Sequence, residues 1–197
     1  MIRSLRPNVS REEAVAHFSP RGFSGLISPF SGRLRAVGEF FIPFRVFELS
    51  IVNGGRTEHK ILAIDSVTGA LMPYVFRAPL AANEIIEVES RNHVTPHLAE
   101  ADSRRIAETR CQRLLFASGF FRIRDLKITA QLLTEIHVPY WIGFRGNGEF
   151  ARFAVLDAMR RRTEGAKVRQ IVRNWLISGE NLQPQSRPET ALSATKF

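Results

Sequence analysis

Phe41-Ile42-Pro43-Phe44-Arg45-Val46-Phe47 and His137-Val138-Pro139-Tyr140-Trp141-Ile142-Gly143 read as two copies of one strand. Each places a proline third in a run of aromatic and β-branched residues suited to a pleated, half-buried surface. A glycine turn follows each copy: Asn53-Gly54-Gly55 in the first, Gly146-Asn147-Gly148 in the second. These residue types tolerate the positive φ that tight hairpins demand. Ile61-Leu62-Ala63-Ile64-Asp65 then lines up with Phe153-Ala154-Val155-Leu156-Asp157 as the return strand. Proline and aspartate are 22 residues apart in the first copy and 18 in the second. A change of that size in a hairpin loop costs little. The pattern predicts an α+β fold of antiparallel β-meanders with two or three packed helices, built by internal duplication of a helix-plus-meander unit. The units are expected at 1–90 and 91–179, with a flexible polar tail at 180–197. One unit exposes one apolar sheet face, and pairing two units offers a way to cover both.

Helix signals precede each copy. Ser10-Arg11-Glu12-Glu13 fits a capping box, with Ala14, Val15 and Phe18 as the apolar face. Pro20 and Gly22 end that helix, and 21–38 is a Phe-rich loop. In the second unit Pro96 suits a first helical position, with Asp102 or Ser103 as the alternative cap. Ala107, Cys111, Leu114, Leu115 and Ser118 share one face of that helix, and Gly119 is its C-cap. Further strands are expected over 70–76, 84–89, 120–133 and 136–144. Val168, Ile171, Val172, Trp175 and Leu176 set a helical stripe, with Thr163 and Gly179 as candidate caps.

Ser10-Arg11-Glu12-Glu13-Ala14-Val15, the strand around 40–49, and Ile64-Asp65-Ser66-Val67-Thr68-Gly69-Ala70-Leu71 together resemble PepSY-type domains. Members of that family open with a short helix and carry an Asp-x-x-Thr-Gly turn after a strand. The likeness covers residues 9–76, and more weakly 99–160. In the second copy Ala158-Met159-Arg160-Arg161-Arg162 stands where Thr-Gly would be. The resemblance implies a domain that binds or restrains a partner, usually outside the cytoplasm.

The chain has 197 residues and a net charge of +9, a balance that favours acidic partners. Its single cysteine, Cys111, excludes an intrachain disulfide and a cysteine-based zinc site. No apolar stretch follows the basic residues at 1–6, and no run is long enough to span a bilayer. The expected setting is the cytoplasm.

No arrangement of residues reads as an active site. His93 and His97 stand at metal-ligand spacing near Glu89, Glu100 and Asp102, but Pro96 interrupts the helix they would need. Cys111 falls on an apolar helix face, where a reactive thiolate is disfavoured. Gly143-Phe144-Arg145-Gly146-Asn147-Gly148 matches neither phosphate-loop spacing, and a hairpin explains it. Asp65 and Asp157 are equivalent, either a converging carboxylate pair or two turn formers. The best binding candidate is the basic cluster Arg160, Arg161, Arg162, Lys167, Arg169 and Arg173, suited to phosphate or carboxylate. Arg33, Arg35, Arg122 and Arg124 add charge, and Phe120, Phe121, Tyr140 and Trp141 are candidate stacking surfaces.

These observations point to a non-enzymatic interaction or assembly subunit, with no cofactor and no metal. It would dock a protein partner through sheet edges, the Phe-rich loop and the tail. A nucleic-acid-binding protein using 160–173 is the alternative. A small-molecule substrate is not expected.

Overall fold

Two prolines lie in the middle of the longest strands, where a missing N–H would ordinarily cost a ladder bond. In the computed structural model, which describes residues 1–19, 33–72, 84–117, 125–146 and 151–178, each sits where its strand changes neighbours. Strand β2 (Leu34–Asn53) pairs with the segment at Asn92–Val94 beside Phe41, and with β3 (Arg56–Asp65) from Phe44 onward. Pro43 falls between, and its carbonyl accepts from the Ser66 amide at 2.9 Å. Strand β5 (Lys127–Arg145) meets β1 (Ile2–Leu5) at His137 and β6 (Arg152–Asp157) from Tyr140. Pro139 falls between, and its carbonyl accepts from Ala158 at 3.2 Å.

Strands β2 and β5 pair with each other, antiparallel, along nearly their whole length. Ile42 stands opposite Val138, its own counterpart in the repeat. A local two-fold therefore passes between these residues, and the two units join edge to edge in one sheet. Among the described residues the sheet is mixed and seven-stranded, in the order β3-β2-β5-β1-β4, with β6 on β5 and β7 (Arg162–Thr163) on β6. Strand β4 (Ile85–Val88) pairs with β1, within the run expected at 84–89.

Among the described residues three helices complete the α+β fold: α1 (Arg11–Phe18), α2 (Glu100–Ala117) and α3 (Ala166–Ser178). Helix α3 covers the face carrying Phe40, Ile42, Val46, Ile136, Val138 and Ile142. Phe47, Leu49 and Ile51 alternate to the other face and pack on α2. Pairing shifts by one residue between Val46 and Phe47, leaving Leu133 as the extra residue on β5. That bulge turns Ile128, Ala130 and Leu132 onto the α2 face, although Ile136 and Val138 point to α3. Helix α1 packs so closely on β5 that a Cβ on Gly143 would lie 2.5 Å from the Phe18 ring. Glycine is required there by the approach of a ring to backbone.

The capping box forms in full: Glu13 N–H donates to the Ser10 hydroxyl, and Ser10 N–H to the Glu13 carboxylate. Other boundaries differ from expectation. Helix α2 starts at Glu100, beyond Pro96 and before Asp102 and Ser103, and the Ser103 amide donates to Ala99. Thr163 belongs to β7, and α3 begins after Gly165. Val15 and Leu114 face solvent rather than the core. One strand, β5, replaces the two expected over 120–144. Of the strand expected at 70–76, Leu71 makes a single bridge to Ile64, and 73–76 lie outside the described residues. The loop expected at 21–38 stops short of Gly38, because Leu34–Gly38 pair with β5 as the start of β2. Its residues 21–32, with Gly119, Phe120, Phe121, Arg122, Arg124, Gly179 and the tail, lie outside the described residues too.

Candidate functional site

Both copies end in the same turn. The Gly69 amide donates to Asp65 O at 2.9 Å, and the Arg161 amide to Asp157 O at 3.0 Å. Met72 N–H then returns to Ala63 O at 2.9 Å, and Glu164 N–H to Val155 O at 2.8 Å. Gly69 and Arg161 both adopt left-handed backbone, at φ 74° and 57°. The Thr-Gly signature is thus missing from the second copy while its geometry is kept. Arg161 takes up a conformation that costs a side-chain-bearing residue about 1–2 kcal/mol.

Each turn is tied to the opposite unit. Ser66 O accepts from His97 and Leu98 amides, and Ala158 O accepts from the Asn8 amide. Arg45 donates to Leu98 O at 2.7 Å, and Trp141 Nε1 to Val9 O at 2.9 Å, at equivalent places. The two units are therefore reciprocally clasped.

The aspartates do not converge as a pair. Asp65 accepts from the Val67 amide and the Thr68 hydroxyl within its own turn. Burial pushes its carboxyl above the ordinary range, and those donors partly offset the rise. Asp157 accepts from the Met159 and Arg160 amides and from Arg160 Nε at 2.7 Å. Arg160 also reaches Glu164, whose carboxyl is raised by burial against the pull of that guanidinium.

The arginine cluster is divided by these contacts. Arg160 lies inside the Asp157/Glu164 network. Arg161 pairs with Glu13 at 3.0 Å and donates to Asn8 O at 2.7 Å. Arg162, Lys167 and Arg173 are exposed, and Arg169 is half-buried. The sequence run Arg160–Arg162 thus presents one exposed, unengaged cation rather than three. Tyr140 is buried and Trp141 half-buried, so neither offers a stacking face.

Other candidates occupy structural places. Cys111 is buried on the sheet-facing side of α2, and burial raises its thiol above the ordinary range. His93 and His97 do not act together: the His97 amide caps the first turn, while the His93 ring meets His137 edge to face at 5.8 Å. Among the described residues no three His, Cys, Asp or Glu side chains gather as metal ligands do.

Burial lowers His137 to about 4, although a bond from Nδ1 to Arg3 O at 3.3 Å resists the drop and His93 adds to it. An unfolded histidine titrates near 6.5, so between those values the unfolded chain holds the extra proton. Stability is expected to fall as pH drops through that window. A denaturant midpoint followed from pH 7 to 4.5 checks this, with His137→Gln flattening the slope.

A groove runs between α3 and the first turn, lined by Thr68 and His97 on one side and Lys167, Gln170, Asn174 and Trp175 on the other. Its volume is about 220 Å³. Of this group the sequence marks Lys167 as a binding residue, His97 only as a metal-ligand candidate and Trp175 only as core, and it leaves Gln170 and Asn174 unmarked. Lys167, Gln170, Asn174 and Ser178 recur at helical spacing beside the apolar stripe, and that polar stripe was the available signal. Thr68 and His97 reach the groove only through the clasp between units. No family model, curated protein or solved structure matches the chain.

Proposed function

We propose that this protein is a non-enzymatic interaction or assembly subunit that docks a protein partner along its sheet edge. The observation that carries this reading is strand β3. Among the described residues its end, Ala63–Asp65, also bonds to 70–72, but Arg56–Leu62 pairs with β2 alone, and the first five residues, Arg56–Lys60, are exposed. An unpaired edge of this length is a template for an added strand. Charged side chains there, Arg56, Glu58 and Lys60, guard against indiscriminate pairing while leaving backbone groups available. The resemblance to PepSY-type domains supports the same reading. Asp65, Asp157 and Cys111 are engaged in a turn, in the Arg160 network and in the core, respectively. The nucleic-acid alternative has lost Arg160 and Arg161 to internal partners. No helix among the described residues is long and apolar enough to cross a membrane.

A photo-cross-linking residue placed at His59 in the native host tests this. The expected result is one discrete protein adduct, absent when the cross-linker sits at Arg104 on the outer face of α2. A diffuse smear, or equal adducts from both sites, overturns the reading. Fluorescence anisotropy with labelled RNA and DNA tests the alternative. At about 0.15 M salt no saturable binding is expected. Binding with a steep salt slope, abolished by combined Arg162→Ala, Lys167→Ala and Arg173→Ala, would establish the nucleic-acid reading instead.

A further inference from the structure

We propose that the groove between α3 and the Asp65–Gly69 turn binds a small organic acid, with its carboxylate on Lys167 and a second oxygen accepting from Trp175 Nε1. The starting point is the indole. Trp175 is only 6% exposed, and its Nε1–H has no acceptor. Buried donors are almost always paired, because desolvating an N–H without a partner is costly. The other tryptophan obeys that rule: Trp141 Nε1 donates to Val9 O at 2.9 Å. Trp175 instead lines the groove.

Charge and shape define the occupant. The described lining holds Lys167 and His97 but no aspartate or glutamate. Asp65 directs its carboxylate into its own turn. Gln170 Nε2 donates to Asn174 Oδ1 at 2.7 Å, and this fixes the Asn174 amide with its N–H₂ group left to donate. Donors and a cation without a counter-charge suit an anion carrying further oxygen acceptors. The volume of about 220 Å³ lies below that of drug-sized pockets and favours a small molecule. Lys167 and Trp175 lie eight residues apart on α3, about 12 Å along its axis. A lysine side chain can fold back over part of that span. An extended acid, such as a linear dicarboxylate, spans the remainder. This inference stands apart from the β3 edge and does not depend on it.

The test uses the full chain labelled with ¹⁵N in its tryptophan indoles. Succinate, glutarate and adipate are titrated, with the matching diamides at equal ionic strength as controls. A saturable shift of the Trp175 indole N–H is expected with at least one diacid, while the Trp141 indole stays in place. Lys167→Gln should weaken that binding about tenfold or more. Trp175→Phe removes the N–H together with the five-membered ring of the indole; with helix content unchanged by circular dichroism, calorimetry should show a comparable loss. The proposal is overturned if neither diacid nor diamide shifts Trp175, or if both indoles drift together with salt. It is also overturned if Trp175→Phe binds as tightly as the parent, or if the indole of the free protein is already hydrogen-bonded.

Discussion

Asp157→Ala is expected to lower stability by about 3–5 kcal/mol, the range seen when one partner of a buried ion pair is removed. Asp157 is 1% exposed, and its carboxylate receives two backbone amides and Arg160 Nε. Alanine leaves those amides without an acceptor and the guanidinium with Glu164 alone. Asp65→Ala provides the internal comparison. It breaks the same turn in the first copy, but its partners are an amide and a hydroxyl rather than a cation. The loss there should be nearer 1–3 kcal/mol. Chemical denaturation of both variants checks the difference. Equal losses would mean that the turn, and not the ion network, carries the energy. Asp157→Asn retains an acceptor for the amides, so it should fall between alanine and the parent.

Phe40→Ala should cost a similar amount, about 3–5 kcal/mol, through lost burial and the cavity left behind. Phe40 is fully buried, and its ring centroid lies 4.9 Å from that of Trp175. This contact seats α3 on the sheet, because Trp175, Ile171 and Val172 are the buried side chains of that helix. Phe40→Leu refills much of the space and should cost less than about 1.5 kcal/mol. Amide exchange supplies a second readout. Helix α3 should lose protection in Phe40→Ala, while α2 packs on a separate cluster around Phe47 and Leu49 and should keep it. Uniform loss across both helices would show that the two clusters unfold as one.

The sequence carried the candidate site poorly because charge runs do not reveal their partners. Arg160, Arg161 and Arg162 are adjacent in the chain and look like one basic patch. Folding places Asp157 and Glu164 around the first, Glu13 and Asn8 around the second, and solvent around the third. Glu13 lies far from Arg161 along the chain, so that pair has no local signature. The likeness of the two proline-centred strands was legible because strand composition and turn chemistry are local. Even so, the second turn keeps its shape without Thr-Gly, and the expected motif understated the similarity of the copies.

Three features were determined by residues a few positions apart. The Ser10/Glu13 capping box satisfies amides within one helical turn. The proline-centred strands and the turn at Asn53-Gly54-Gly55 follow from backbone preference, while Asn147 and Gly148 of the second turn lie outside the described residues. The Val168-to-Leu176 stripe fixes which side of α3 is buried. Tertiary structure decided the rest. Ile2–Leu5 is too short to show a period and becomes a strand because β4 and β5 flank it. The bulge at Leu133 reverses which side chains of β5 face α2, since an extra residue exchanges the two faces of a strand. The edge-to-edge union of β2 and β5 brings His97 and Thr68 to α3 and creates the groove at Trp175. Local rules act through the backbone within a turn or a hairpin. Which edges meet depends on burial and hydrogen bonding summed over the whole chain, and only the folded molecule performs that sum.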